Sequence, residues 1–183
     1  MGCDIHLYLE KKMQFRDGNP PRWVYIEEID VGRDYELFGF LAGVRSDYQH
    51  FERKETIPED ISPELRRELE DWGSDGHSHS WLTLEELQTV DWQDEQIMIP
   101  LSGIMDNDQW EAFDKSVKMG KPDYSLMYPY WAAGGDPKTS SYHEWEYPRK
   151  LELEHFYNKV VKRMQTVGDC KPNEIRIVFW FDN

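Results

Sequence analysis

Residues 174–181, which read EIRIVFWF, decide the fold of this chain of 183 residues. Isoleucine, valine and aromatic residues fill this stretch, and only Glu174 and Arg176 are charged. Such residues fit a pleated surface, and a nearly continuous apolar run is typical of a strand that is covered on both faces. We therefore predict that residues 174–181 form the central strand of a sheet.

The amino-terminal residues 3–10 (CDIHLYLE) alternate between two kinds of side chain. One face would carry Cys3, Ile5, Leu7 and Leu9, and the other Asp4, His6, Tyr8 and Glu10. This alternation predicts a half-buried strand, which we expect to neighbour the last strand. A turn at residues 17–21 and an apolar run at residues 23–29 add a hairpin partner, and residues 96–101 suggest another short strand.

Helical spacing and helix-start signals appear between these strands. The predicted helices cover residues 34–44, 62–72, 107–119 and 150–167, with a short one opening at the capping box of Thr83. The histidine-bearing segment at residues 73–81 and the Pro-, Gly- and Tyr-rich residues 120–148 are predicted to be irregular. The chain as a whole is predicted to be a single α+β domain, 1–183, with a mainly antiparallel sheet of three to five strands and helices packed on one face.

The net charge of −15, from 36 acidic and 21 basic residues, limits the partners. Such a surface repels phosphate backbones, so we expect no non-specific nucleic-acid binding. The acidity fits either a partner with a basic surface or simply a solvated acidic surface. Two cysteines are too few for a disulfide framework, and no apolar run is long enough for a membrane span. We therefore expect a cytoplasmic protein without a membrane partner.

Two short motifs, DIH at residues 4–6 and GHSH at residues 76–79, predict a metal site. His77 and His79 are two residues apart, so in an extended segment both would point to one side, and Asp4 and His6 have the same spacing. Carboxylate and imidazole ligands suit Zn, Mn, Fe or Ni. The alternatives are a solvent-facing strand and a polar loop whose histidines bond to the backbone.

Further residues could assist such a site. Asp75 could orient an imidazole, His50 could act as a general acid, and Arg45 could bind a phosphate or interact with the end of a helix. The aromatic residues in 128–145 could stack on a base or pack in a core; they are Tyr128, Tyr130, Trp131, Tyr142 and Trp145. The chain lacks the phosphate-binding loop, the GxGxxG, GxSxG and HExxH motifs, and CxxC.

The DxH and GHSH motifs resemble the first and last motif blocks of the calcineurin-like metallophosphoesterases. The middle blocks of that family, GDxxD and GNHE, are absent from this chain. The resemblance covers only Asp4, His6, His77 and His79. It implies that these residues bind metal and that the reaction is hydrolysis of a phosphoester.

Four longer segments together resemble an uncharacterised family of tailed-phage and prophage proteins. They are MGCDIHLYLE at residues 1–10, GRDYELFGFLAGVR at 32–45, WGSDGHSHSWLTLEEL at 72–87 and RIVFWFDN at 176–183. This resemblance implies a phage origin and an accessory, non-virion role in the cytoplasm of the host cell.

Two classes of function follow from these observations. The first is an intracellular phage protein with a divalent-metal site that hydrolyses a phosphoester in a nucleotide or a nucleic acid. The second is a non-catalytic acidic protein that binds a basic host protein as a counter-defence factor, or that sequesters a signalling nucleotide. The oligomeric state stays open.

Overall fold

A computed structural model of the chain describes residues 2–46, 48–127, 138–168 and 170–182. The chain divides into two compact units: unit 1 is Met1–Gln93 with Glu152–Asn183, and unit 2 is Asp94–Leu151. The strands are β1 (Ile5–Met13), β2 (Arg22–Glu28), β3 (His77–Thr83), β4 (Met98–Asp106), β5 (Ser140–Pro148) and β6 (Ile175–Phe181). The α-helices are α1 (Tyr35–Ala42), α2 (Pro63–Trp72), α3 (Leu84–Leu87), α4 (Asn107–Lys118), α5 (Arg149–Glu152), α6 (Glu154–Phe156) and α7 (Lys162–Thr166).

Unit 1 is built on a four-stranded antiparallel sheet with the strand order β2-β1-β6-β3. All seven residues of β6 are buried, and β6 lies between β1 and β3, as its apolar composition predicts. In the register of β1 and β6, Ile5 lies opposite Phe181 and Lys11 opposite Ile175. The central last strand and its pairing with the first strand are therefore confirmed.

One face of this sheet packs on the main core. Leu7 and Leu9 of β1 and Ile177 and Phe179 of β6 contribute to it, together with apolar residues of α1, α3, α6 and α7. Helix α1 begins where the sequence predicts, because the Asp34 side chain accepts a hydrogen bond from the backbone N–H of Leu37. It ends at Gly43, whose φ of 64° is a left-handed conformation that glycine adopts without strain.

The opposite face of the sheet is covered by α2. Leu65 and Leu69 of this helix pack against Tyr8, Val178 and Trp180 of the sheet. Ser62 caps α2 and Pro63 opens it, as predicted. The α+β class with a mainly antiparallel sheet is thus confirmed, and the helices are not confined to one face.

The face of the sheet that α2 covers also carries a row of lysine, arginine and tryptophan side chains. This row lies away from the amino-terminal end of β1. The guanidinium carbon of Arg176 lies 3.8 Å from the ring centre of Trp23 and 5.9 Å from that of Trp81. Lys54 Nζ lies 3.4 Å from the ring centre of Trp81, and Lys12 Nζ lies 5.7 Å from that of Trp23. Cations over indole faces are attracted by the ring quadrupole, so this row ties all four strands together.

Unit 2 combines the two-stranded antiparallel sheet β4-β5 with α4. Its core contains Met105 of β4, Phe113 of α4 and Met127, with Trp145 and Tyr147 of β5 packed against them. Strand β5 corrects the prediction that residues 120–148 are irregular throughout. Its alternating SSYHEWEYP sequence buries one side of the strand against β4 and α4.

Two other predictions need correction. Residues 77–83 form the edge strand β3 rather than a loop, because pairing with β6 satisfies their backbone groups. The helix predicted over residues 150–167 is interrupted: α6 ends at Phe156, a π-helical turn covers Tyr157–Val161, and α7 follows. Periodicity cannot reveal such a local change in hydrogen bonding.

In the part of the chain that the structure describes, no helix is both long enough and apolar enough to cross a membrane. Tyr128, Tyr130 and Trp131, which the sequence offers as stacking residues, lie outside the described residues.

Candidate functional site

The histidine-bearing motifs meet at one end of the unit 1 sheet. His6 on β1 lies opposite Trp180 on β6, and His77 on β3 lies opposite Phe181 on β6. Because β6 runs between β1 and β3, the two motifs are separated by only one strand. We call this region, formed by His6, His77, His79, Trp180 and Asp182, the histidine end.

His6 is held by a carboxylate and by an indole ring. Its Nε2 lies 3.3 Å from Asp182 Oδ2, and its ring centre lies 4.0 Å from that of Trp72 at the end of α2. Asp182 Oδ1 also accepts a hydrogen bond from the backbone N–H of Asp4. A carboxylate beside an imidazole fixes the orientation of the ring.

His79 lies on the other side of Trp180. The ring centre of Trp180 is 6.1 Å from that of His79 and 6.3 Å from that of His6. Burial, with a smaller contribution from the charge of His77, lowers the pKa of His79 below its usual range. His79 is therefore neutral at pH 7 and can accept a proton or bind a metal ion.

His77 does not share the face of His79, contrary to the expectation from their spacing. The ring of His77 lies 6.1 Å from Phe181, whereas that of His79 lies near Trp180, and these two residues of β6 point to opposite faces. The cause is a register shift between His77 and Ser80, with Ser78 at a φ of 52°. His77 Nδ1 lies 3.0 Å from Ser78 Oγ, and its buried Nε2 has no hydrogen-bond partner in the described part of the chain.

Asp4 is bound to an arginine. Arg33 donates to Asp4 Oδ1 from Nε at 2.8 Å and to Oδ2 from Nη2 at 2.7 Å. The hydrogen bonds from Arg33 hold the pKa of Asp4 below its ordinary value. Both carboxylate oxygens of Asp4 therefore accept hydrogen bonds from Arg33 in a bidentate pair, which the sequence could not reveal.

Three arginines contact residues of the histidine end or their immediate neighbours. Burial raises the pKa of the Cys3 thiol, an effect that the nearby charge of Arg45 partly offsets, and Arg53 Nη1 donates to Ser78 Oγ at 3.1 Å. Arg45 has a φ of 62°, a conformation that costs free energy for a residue other than glycine. Arg33 is paired with Asp4, which offsets its charge.

The remaining candidates lie around this region. The backbone N–H of Asp75 donates to the carbonyl of Trp72 at 3.0 Å, so Asp75 lies in the turn that joins α2 to β3. His50 stacks on Phe40 of α1 at a ring distance of 4.9 Å and an angle of 11°. The roles suggested for Asp75 and His50 stay predictions.

Gly76 allows the side chains of the site to approach the backbone closely. A Cβ atom at this position would lie 3.2 Å from Trp180 Cδ1 and 3.4 Å from His79 Nε2. The Nε1 group of Trp180 is itself buried and has no hydrogen-bond partner among the described residues. A larger residue at position 76 would therefore have to displace an aromatic ring or the imidazole of His79.

The metal-ligand set predicted from the sequence is only partly brought together. Among residues 2–46, 48–127, 138–168 and 170–182, no three His, Cys, Asp or Glu side chains are grouped closely enough to hold a metal ion. Sequence reasoning missed Asp182 and Trp180. The pairing of the first and last strands could have indicated both, because it places the end of β6 beside DIH.

The chain was compared with protein-family models, with curated proteins and with solved structures, and no match was found in any of the three.

Proposed function

We propose that the histidine end is the active site of a hydrolase that cleaves a phosphoester bond with the help of a divalent metal ion. The observation that carries this proposal is the arrangement of His6, with Asp182 beside it, and His79 on the two sides of Trp180. These three polar groups come from three strand ends and lie beside positively charged side chains.

The proposed metal ligands are His6 and Asp182; His79, on the other side of Trp180, is not grouped closely enough with them among the described residues to be a third ligand. Two ligands of one tetrahedral ion, each bound at 2.0–2.1 Å, are about 3.3 Å apart. The distance of 3.3 Å between His6 Nε2 and Asp182 Oδ2 matches this spacing. His79 supplies a neutral imidazole that would accept a proton from the bound water. Asp4, bound by Arg33, is not part of the proposed set. The metal would lower the pKa of a bound water to generate the nucleophile.

The surrounding arginines support an anionic substrate. A chain with this net charge repels phosphates in general, so a phosphoester can bind only where the local charge is reversed. Arg45 lies near Cys3, which precedes DIH, and Arg53 contacts Ser78 of GHSH, so their guanidinium groups would offset the charge of a phosphoryl group. The substrate class is therefore a phosphoester in a nucleotide or a nucleic acid.

The sequence resemblance to phage proteins supports a cellular setting for this activity. It favours an accessory enzyme that works in the cytoplasm of an infected host cell rather than a component of the virus particle.

The metal is tested by elemental analysis of the purified full-length protein after incubation with Zn, Mn, Fe or Ni. We expect one of these metals at stoichiometric amounts, and at least about tenfold weaker binding in His6→Gln and Asp182→Asn. His155→Gln, an exposed histidine outside the site, is the matched control and should retain the metal. A parent protein that gains none of the four metals would refute the metal site.

The reaction is tested with bis(p-nitrophenyl) phosphate and with dinucleotides. A chelator should abolish turnover, and His79→Gln should lower kcat/KM about 100-fold while His155→Gln leaves it unchanged. Below the pKa of His79, activity should fall with decreasing pH, because the protonated imidazole cannot accept a proton. A protein that binds metal tightly but cleaves no phosphoester would show that the site is structural instead.

A further inference from the structure

The outer face of the β4-β5 sheet in unit 2 presents apolar side chains to water. Side chains alternate along both strands, and Leu101, Met105 and Trp145 point inward to the core of the unit. The other side carries Pro100, Ser102 and Ile104 of β4 and Tyr142, Glu144 and Glu146 of β5, all of them exposed. This outer face contains no part of the histidine end, which lies in unit 1.

The centre of the outer face is an apolar cross-strand pair. Ile104 lies directly opposite Tyr142 in the sheet register. Ile104 is 52% exposed and Tyr142 is 61% exposed. The water-facing side of an antiparallel sheet normally carries polar residues, so this pair departs from the usual pattern. Two large exposed side chains that lie directly opposite each other on paired strands form a patch rather than isolated surface residues.

Acidic residues border this patch on β5. Glu144 follows Tyr142 by two positions on the same face, and Glu146 follows by four. Neither β4 nor β5 contains a lysine or an arginine. An apolar centre that includes tyrosine, with charged residues of one sign at its rim, is the composition of a protein-binding surface.

We propose that the outer face of β4-β5 binds a protein segment in which an apolar or aromatic side chain is flanked by lysine or arginine. The apolar side chain covers Ile104 and Tyr142, and the basic residues pair with Glu144 and Glu146. Electrostatic complementarity selects such a partner over an acidic one, because like charges at the rim oppose association.

The test uses the full-length protein, immobilised, and a displayed library of random dodecapeptides as the probe. We expect enrichment of peptides that combine an aliphatic or aromatic residue with neighbouring Lys or Arg. The affinity of an enriched peptide should fall several-fold between 50 and 300 mM NaCl, since the rim contacts are screened by salt.

Variants then locate the binding site. Ile104→Ser with Tyr142→Ser should weaken peptide binding at least about tenfold, and Glu144→Lys with Glu146→Lys should abolish it. The matched control is Val117→Ser with Met119→Ser, which alters exposed apolar residues at the end of α4 and should leave the affinity unchanged. Circular dichroism of each variant establishes that its fold is retained.

Three outcomes would overturn the proposal. The first is a library without enriched peptides, and the second is enriched peptides whose affinity is unaffected by the Ile104 and Tyr142 changes. The third is a parent protein that is a dimer in light scattering and becomes a monomer on those changes, because the occupant would then be a second copy of this chain.

Discussion

Arg176 is a charged residue in the middle of an apolar central strand, and its contacts explain why it is tolerated there. Its Nε donates to Glu10 Oε2 at 2.9 Å, and its Nη1 donates to Asp60 Oδ1 at 2.9 Å. Nη2 lies 2.8 Å from Glu10 Oε2 but in a geometry that makes no hydrogen bond. Burial raises the pKa of Asp60, but the hydrogen bonds from Arg176 and Trp23 outweigh it and leave that pKa below its ordinary value.

Glu10→Gln should destabilise the protein by about 3 kcal/mol, because it leaves the buried guanidinium of Arg176 without its main counter-charge. The side chains of Glu10 and Arg176 are 0% and 2% exposed. The measurement is the free energy of unfolding in urea. Glu27→Gln, which removes an exposed partner of Arg163, is the control and should cost at most about 1 kcal/mol. Equal losses in the two variants would contradict this account.

Glu152 should make stability depend on pH. Burial, and then the charges of Asp34 and Glu36, raise the pKa of Glu152 to about 7 from an ordinary value of 4.5. The folded protein therefore holds this proton more tightly than the unfolded chain. The resulting stabilisation is complete below about pH 4.5 and is lost as the pH rises to about 7.

Glu152→Gln keeps the neutral form at every pH, so it should gain stability over the parent as the pH rises. We expect a gain of up to about 2 kcal/mol at pH 8 and only about 0.5 kcal/mol at pH 5, measured by urea unfolding at both values. Glu154→Gln, an exposed neighbour, should show no such trend. A constant difference between Glu152→Gln and the parent across this range would count against the proposed cause.

At the scale of elements, helix α2 packs on the face of the sheet that carries Trp180. Its amino-terminal cap should therefore contribute to the stability of the fold. The Ser62 hydroxyl accepts a hydrogen bond from the backbone N–H of Leu65 at 3.3 Å. Ser62→Ala should cost about 1 kcal/mol of unfolding free energy, measured by thermal and urea unfolding. Ser74→Ala, at an exposed serine beyond the end of α2, should change stability little, and a similar loss there would disprove a capping effect.

Strand β3 shows where local patterns fail. Residues 77–83 (HSHSWLT) contain polar residues and a capping signal, which together favour a loop before a helix. The segment is extended because the free edge of β6 offers hydrogen-bond partners, and a register shift then turns His77 and His79 to different faces. A β-bulge is decided by tertiary structure, since it depends on the partner strand as much as on the bulged residues.

At the scale of the whole molecule, unit 1 should fold without unit 2. The residues just before and just after unit 2 in the chain lie close together, since the ring of Trp92 lies 5.8 Å from that of Phe156. The main core is formed by residues of unit 1 alone. Replacing Asp94–Leu151 by about eight Gly and Ser residues should therefore retain cooperative thermal unfolding and dispersed amide resonances.

The same linker in place of Pro63–Trp72 is a matched control. It should prevent folding, because it uncovers Val178 and Trp180. Loss of cooperative unfolding when only Asp94–Leu151 is removed would support the single domain that the sequence predicts.

The sequence by itself determined the α+β class, the buried last strand, its pairing with the first strand, and the caps of α1, α2 and α3. Apart from the strand pairing, these features rest on side-chain periodicity and on hydrogen bonds between residues close in the chain, which are properties of short segments. Only the tertiary structure decided that Arg33 pairs with Asp4, that Asp182 lies beside His6, and that His77 and His79 lie on opposite faces of the sheet. Each of these depends on side chains distant in sequence, whose charges and hydrogen bonds compete once the strands have paired.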